Sequence, residues 1–383
     1  MALAAGYLYV GSWELLPLRE PYREFAGTDG HVQIARTLWE TREYAYRPSG
    51  PPVHNRPPVP PLVMAVVCAW SVERWFAYWF AAAAFLGAGT VYFSVRTMEI
   101  CGATRRQTLI WGTVLALHPF LLSVVRSSSF MPTGLFVFSM TTYAFCRWTL
   151  RGYKPADGVR TGLALGLAAL THGALILLVP VATAAALADL RAARRRRRRA
   201  VALVLAVCLA CVAPWTCRNY VVFDRFIPVA TGAGIQYWLK KAALDGEENL
   251  EKRIFFQETG RVLVTDHYGA RDPGDEQTLV RLALRDWPTA LSRFPRGVLS
   301  FFAPPENGPF RRVLAGMLNA AMLFFVFRGL KSKILPVRLW VWGATAAMTA
   351  TFSLLAGHAS YFSLLVPLWA VAAAGGFFRK FVV

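Results

Sequence analysis

Long apolar runs dominate the hydrophobic pattern of the chain, and each run ends at charged residues or at Pro and Gly. They fall at about 58–72, 75–95, 107–125, 130–148, 160–190, 200–217, 311–328, 335–356 and 359–378. Several approach the ~20 residues that cross a bilayer as a helix. The chain starts with a short apolar run that Glu14 breaks, and we interpret this run as a marginal or truncated first span. The whole pattern predicts an all-α polytopic membrane protein of about nine to eleven spans.

The run at 160–190 is longer than one span needs. It allows two structures, either one tilted helix or a tight hairpin that turns at Thr171, His172 and Gly173. The sequence alone leaves both open.

Two polar loops interrupt the apolar pattern, and they divide the chain into three parts. We predict an N-terminal membrane module over 1–217 that contains the first loop (19–60), a second loop over 218–310, and C-terminal transmembrane helices over 311–383. The chemistry is expected in the loops, because the apolar runs carry few ionisable residues.

The first loop predicts a short helix from Asp29 to Trp39. Val32, Ala35, Leu38 and Trp39 share one face at the 3.6-residue period, so this helix is expected to lie along the membrane interface. Asp29 at its start has two compatible interpretations, a helix N-cap and a general base that faces substrate.

The second loop predicts a pair of amphipathic helices between Asp275 and Phe302, with Pro288 and Pro295 as breaks. The apolar positions that recur at helical spacing are Leu279, Leu282, Ala283, Trp287 and Leu291. A lid over the membrane helices is the expected role of this pair.

The chain is strongly basic, with a formal net charge of +20 over 383 residues. Its largest basic block, Arg191 with Arg194 to Arg199, lies between two apolar runs. The positive-inside rule therefore interprets the block as a cytoplasmic loop rather than a nucleic-acid site, and it assigns the loop at 218–310 to the extracytoplasmic side. The Arg- and Ala-rich composition favours a bacterial inner membrane as the location.

Neither the cysteines nor the histidines predict a metal site. Cys208 and Cys211 have CxxC spacing inside an apolar run with no histidine beside them, so we expect neither structural zinc nor a disulfide. Asp29, His31 and His54 lack the tight spacing of a metal-binding pair. No cofactor is expected.

Three segments resemble a known family. The first is Asp29 to Leu38 with Pro57 to Leu62; the second is Ala213 to Tyr220, followed by Phe226 to Thr231; the third is Gly357 to Tyr361 with Pro367. In this order they resemble membrane glycosyltransferases of the GT-C fold, in particular the dolichyl-phosphate-mannose protein mannosyltransferases and the aminoarabinose transferases.

The resemblance implies that a sugar moves with inversion from a polyprenyl phosphate to a hydroxyl of a protein, lipid or polysaccharide. It makes Asp29 the general base, and it implies that the leaving phosphate is bound by cationic and polar groups. The candidates for donor or substrate binding are Arg56, Arg218, His54, His358, Tyr361 and Asn219. For Arg56 and Arg218, interaction with lipid headgroups is an open alternative, as is helix packing for His358.

The chain departs from the family pattern at several positions. Arg56 stands where a lysine precedes the paired prolines, Ser360 where an arginine precedes the last tyrosine, and His172-Gly173 where an Arg-Pro pair is common. An inactive scaffold of the same fold is therefore one alternative. A lipid or lipid-sugar flippase is the other, although transporters place polar groups near the midplane in repeated halves, and the sequence has no internal repeat.

Overall fold

The computed structural model describes residues 30–68, 75–118, 121–122, 130–266, 269–302, 308–330, 335–355 and 364–374. The helices of the first half are α1 (His31–Thr41), α2 (Val59–Cys68), α3 (Trp75–Ile100), α4 (Arg105–Ala116), α5 (Met131–Leu150), α6 (Pro155–Thr171), α7 (Leu178–Leu187) and α8 (Arg194–Phe223). Those of the second half are α9 (Ala233–Asp245), α10 (Leu250–Thr259), α11 (Pro273–Arg285), α12 (Trp287–Phe302), α13 (Gly308–Leu330), α14 (Leu335–Leu354) and α15 (Val366–Ala373). The predicted all-α class is confirmed in these ranges, where the strands are the short antiparallel pair β1 (Thr265–Asp266) and β2 (Gly269–Ala270).

Arg194 to Arg199 of the basic block form the start of α8, the longest of the described helices, instead of a loop, while Arg191 precedes it. Arginine is a good helix former, so the helix continues through the charged residues into the apolar run. Within the described ranges, Ala77–Ile100 and Arg194–Phe223 are long and apolar enough to cross a membrane, and Gly173–Leu187 and Asn319–Gly329 are shorter apolar helical segments. The predicted nine to eleven spans stay a prediction.

Helices α6 and α7 form the hairpin that the sequence left as one of two alternatives. His172 is extended (φ −156°, ψ 134°) and ends α6, and a 3-10 turn over Gly173–Leu177 leads into α7. The ends of the two helices that lie away from this turn are close together, since the hydroxyl of Tyr153, just before α6, donates to Asp189 Oδ2, just after α7, at 2.8 Å. His172 and Arg194 therefore mark opposite ends of the bundle, which we call the hairpin end and the arginine end.

A row of glycines on α6 packs directly against α8. A Cβ at Gly162 would lie 2.7 Å from the Val204 carbonyl oxygen, and one at Gly166 would lie 2.6 Å from the Cys211 Cβ. Small residues at four-residue spacing let two helix backbones approach closely, as in membrane helix pairs. The order of these contacts shows that α6 and α8 run parallel, so α8 ends at the hairpin end.

The apolar side chains form two main cores. The larger core lies among α1 to α8 and α12 to α15 and includes the buried side chains of Trp79, Phe138, Trp340 and Trp369. The smaller one lies within the second loop and contains Trp238, Phe255 and Leu279 from α9, α10 and α11. We call α9, α10 and α11 the lid helices, after the role expected for the second loop, and that role stays a prediction.

The apolar positions predicted to share one face of α1 do lie together, and this face packs on the larger core of the protein. The predicted position of α1 along the membrane interface stays a prediction. Val32 and Ala35 are buried, and Leu38 and Trp39 pack on the same core. The helix begins at His31 with Gly30 as its N-cap, so the interpretation of Asp29 as the N-cap is wrong. The φ of 79° at Gly30 is one that glycine adopts without strain.

The amphipathic pair in the second loop is also confirmed, as α11 and α12, with two corrections. Pro295 lies inside α12 and does not end it. Leu279 is buried, but Trp287 and Leu291 are mainly exposed, because α12 turns a different face toward its protein neighbours.

Replacing Gly162 by Val tests the close approach of α6 and α8. The added side chain would force the helices apart, and overpacking of this kind costs about 1–3 kcal/mol, so the purified protein should lose its folded gel-filtration peak at a lower temperature. Gly173→Ala is the matched control, since a Cβ at Gly173 meets no atom within 4 Å. Equal losses in both variants would contradict the packing assigned to this glycine.

Candidate functional site

Arg218, near the end of α8, fastens the first loop to the hairpin end. Its guanidinium carbon lies 5.3 Å from the Tyr44 ring centroid, 4.9 Å from that of Trp215 and 5.3 Å from that of Phe223. Its Nη1 donates to the Val53 carbonyl at 3.0 Å. A planar cation surrounded by aromatic rings is stabilised by cation–π attraction, so this arginine holds the backbone of the first loop while its charge stays near the surface.

Asn219 holds the chain that leaves α8. Its Nδ2 donates to the carbonyls of Ile227 at 3.0 Å and Val229 at 3.2 Å, and its Oδ1 accepts from Arg218 Nη1 at 3.0 Å. The side chain is fully buried. Both amide protons are therefore engaged within the protein, which gives Asn219 a positioning role for Arg218 and for the following segment.

His54 joins three segments of the chain. Its Nδ1 lies 2.6 Å from Thr231 Oγ1, and its Nε2 lies 3.0 Å from the Arg271 carbonyl oxygen. Since a carbonyl only accepts, Nε2 carries the proton and Nδ1 accepts from the Thr231 hydroxyl. Burial lowers the pKa of His54 below its ordinary value, although the Arg271 carbonyl and Asp272 oppose the shift. The neutral ring thus ties the first loop to the second.

Tyr44 supports the segment that contains Arg56. Its hydroxyl lies 3.1 Å from both the Arg56 and the Pro57 carbonyl oxygens. Burial raises the pKa of Tyr44 well above its ordinary value, and the nearby Tyr46 raises it further. The neutral hydroxyl donates to these carbonyls. The Arg56 side chain is half-buried, and its Nη1 donates to the Asn55 carbonyl at 3.2 Å.

Aromatic rings connect the start of α1 to the α6–α7 hairpin. The buried His31 ring lies 6.4 Å from Phe130, which stacks on His172 at 4.2 Å. The His172 Nδ1 accepts from the Ala174 backbone N–H at 3.2 Å, so the ring orientation is fixed.

Gly30, one position before His31, leaves no room for a Cβ, which would lie 2.5 Å from the Tyr46 ring. The residue after Asp29 is therefore held tightly.

The N-terminus of α9 is already occupied by an anion. Glu276 from α11 accepts through Oε1 from the backbone N–H groups of Gly234 at 2.6 Å and Ile235 at 3.2 Å. A carboxylate at a helix N-terminus satisfies its unpaired donors. This contact joins the two lid helices and takes the place that a phosphate would need there.

The candidate residues separate into two groups. His54, Arg218 and Asn219 lie together, with Arg56 on the adjoining backbone, while Asp29, His358 and Tyr361 lie outside the described residues. In the part of the chain that the structure describes, no group of three or more His, Cys, Asp or Glu side chains is placed to hold a metal ion. The roles of the candidate residues toward substrate stay predictions.

Sequence reasoning missed Tyr44, Thr231 and Arg271. The Thr231 contact to His54 spans 177 positions and the Arg271 contact spans 217. No periodicity or spacing connects residues so far apart. The one local feature that could have indicated Tyr44 is that an aromatic residue precedes the paired prolines Pro57 and Pro58.

Searches with known sequences return no relative: no family model matches the chain, and no curated protein matches it. The fold does have known counterparts. ArnT from Cupriavidus metallidurans, solved with undecaprenyl phosphate, superposes with a TM-score of 0.61 at 16% identity, over 97% of this chain and 59% of that one. The archaeal oligosaccharyltransferase AglB from Archaeoglobus fulgidus, in complex with an inhibitory peptide and a dolichol-phosphate, gives 0.55 at 17% identity, over 97% and 50%.

These counterparts confirm the GT-C-like fold that the three segments indicated. The chain is thus similar in fold to glycosyltransferase structures of this class along nearly its whole length, while it spans only about half the length of the chains it matches.

The protonation of His54 predicts how stability depends on pH. The unfolded histidine titrates near its ordinary pKa of ~6.5, and the folded one has a lower pKa, so below about pH 6.5 the unfolded chain binds more protons and stability falls. The melting temperature should therefore drop between about pH 7.5 and 5.5, and by less in His54→Gln. An equal drop in both proteins would contradict the buried neutral state.

Proposed function

We propose that the protein is an integral-membrane glycosyltransferase of the plasma membrane, which moves a sugar from a polyprenyl phosphate to a hydroxyl acceptor on the extracytoplasmic side. The arrangement at the hairpin end carries the proposal. There the first loop is fastened to α8 by Arg218 and to the second loop by His54, at the end of the bundle opposite the arginine block. The fold shared with ArnT and AglB supports the same chemistry.

Asp29 is proposed as the general base. A carboxylate with an ordinary pKa near ~3.9 is ionised at neutral pH and can accept the proton of an attacking hydroxyl. It stands one position before Gly30, where the tight contact with Tyr46 fixes the backbone. A single in-line displacement with this base gives inversion at the sugar carbon.

The leaving phosphate needs positive charge and hydrogen-bond donors in place of water. Arg218 and Arg56 are proposed to supply the charge, and His358 and Tyr361 from the last predicted span are proposed to add donors. Arg218 is suited because its ring-stacked guanidinium is already ordered, so binding costs little further side-chain entropy. His54 and Asn219 position these groups.

Replacing Asp29 by Asn tests the base. We expect turnover of radiolabelled polyprenyl-phosphate sugars by the purified protein, in the presence of cell-envelope acceptors, to fall by ~100-fold or more, as for the loss of a general base. Asp224→Asn is the matched control. Asp224 is exposed just past α8, so this variant makes the same chemical change at a position away from the predicted base.

Other results would point elsewhere. If the protein turned over no donor, and if the Asp29→Asn variant bound polyprenyl-phosphate lipids as tightly as the unchanged protein, an inactive scaffold would fit better. Movement of the labelled lipid between leaflets of a vesicle without sugar transfer would favour the flippase.

Replacing Arg218 by Lys tests the proposed phosphate contact. Lysine keeps the charge but loses the planar fork and the ring stacking. We expect a higher KM for the donor with a smaller change in kcat, and a lower melting temperature because the first loop is held less firmly. A lower melting temperature with unchanged KM would make Arg218 purely a structural residue.

A further inference from the structure

Helix α12 belongs to both apolar cores of the protein. Near its start, Ala290 packs on the core of the lid helices. At its end, Phe301 is buried in the larger core and stacks on Phe352 of α14 at 5.8 Å, and Phe302 stacks on Trp369 of α15 at 5.9 Å. The helix therefore passes from the lid into the bundle within its 16 residues.

The end of α12 lies beside the middle of another long helix. The Phe302 carbonyl, one of the unpaired acceptors at the helix end, accepts from Asn319 Nδ2 at 2.9 Å. Asn319 is 11 residues from each end of α13, which is ~16 Å at the rise of an α-helix. If the run at 311–328 crosses the bilayer as predicted, this contact brings Phe302 to the depth of the hydrocarbon core.

The inner side of α12 is covered by protein. Gly297 fits so closely against α14 that a Cβ there would lie 2.1 Å from the Ser353 carbonyl oxygen. Ser300 on the same helix accepts from Lys240 Nζ of α9 at 2.7 Å.

The outer side carries an apolar stripe, formed by Trp287, Leu291, Pro295 and Leu299 at four-residue spacing. Trp287 is 62% exposed, Leu291 63% and Leu299 68%, and Pro295 is also exposed. In water such a stripe is unfavourable, but it matches a lipid environment. Trp287 stands at the lid end, where an interfacial tryptophan is expected.

We propose that α12 enters the bilayer obliquely from the lid and that its stripe contacts the acyl chains of membrane lipids. Trp287 lies at the headgroup level, and Leu299 lies deepest, beside the level of Asn319. The lid is thereby fixed to the membrane by a helix that does not cross it. This inference is independent of the proposed transferase activity.

Spin labels on α12 in protein reconstituted into phospholipid nanodiscs test the proposal. Labels at Leu291→Cys and Leu299→Cys, in a variant whose native cysteines are replaced by Ser and whose gel-filtration profile is unchanged, are compared for collision with oxygen and with a water-soluble nickel chelate. Oxygen concentrates in lipid and the chelate in water. We expect both labels to favour oxygen, and the ratio to be higher at 299 than at 291.

The matched control is Lys252→Cys, an exposed polar position on lid helix α10, where the nickel chelate should dominate. Nickel access at both 291 and 299 would overturn the proposal, since the stripe would then face water. Exclusion of both reagents would also overturn it, because the stripe would then be covered by protein, either another part of this chain or a second copy.

A second measurement needs no cysteine replacement. The unmodified protein is irradiated with a phospholipid that carries a diazirine at the end of its acyl chain, and the adducts are mapped by mass spectrometry. We expect adducts on the peptide that contains Leu299 and none on the peptides of α10. Absence of adducts throughout α12 would contradict lipid contact.

Discussion

One half-buried guanidinium, packed among three aromatic rings, holds the first polar loop of this protein on its bundle. Moving an arginine out of water is costly unless its charge is compensated, and here Tyr44, Trp215 and Phe223 supply ring faces while Val53 and Asn219 supply acceptors. The rings come from the first loop and from α8. Two of the rings and Asn219 belong to α8 itself, and the first loop completes the set with the Tyr44 ring and the Val53 carbonyl, so the same charge that α8 holds also binds the loop.

The same end of the bundle holds further polar contacts. His54 links the first loop to the second, Asn219 holds the segment after α8, and Glu276 joins two lid helices through backbone N–H groups. None of these groups is a surface ion pair, whose contribution is small and screened by salt. They are hydrogen bonds of buried side chains, most of them to the backbone, which fix positions, and a fixed arrangement is what a reaction on a lipid-linked substrate requires.

The sequence predicted those features that depend on local pattern. The apolar face of α1 and the pair α11 and α12 follow from periodicity, because a helix buries one face at 3.6-residue spacing, and the length of the run at 160–190 allowed the hairpin at His172 as one of two structures. It failed where tertiary context decides, as at Pro295, which continues a helix, and at the arginine block, which begins one. The partners of His54 lie far along the chain, and only the folded structure brings Thr231 and Arg271 to it.

The arginine block contains two kinds of residue that the sequence does not distinguish. Arg197 is buried, and its Nη1 donates at 2.5 Å to the Leu187 carbonyl at the end of α7, while its neighbours in the block are exposed. Arg191, before α8, is exposed but donates through Nε and Nη2 to both oxygens of the buried Asp189 carboxylate, at 2.8 and 2.7 Å, a two-point contact that lysine cannot reproduce. The exposed members from 194 to 199 supply charge, which lysine also carries. Position 197 acts by shape, because only a side chain of this length and fork reaches that carbonyl. Among homologues, we therefore expect arginine and lysine to exchange freely in the block except at positions 191 and 197.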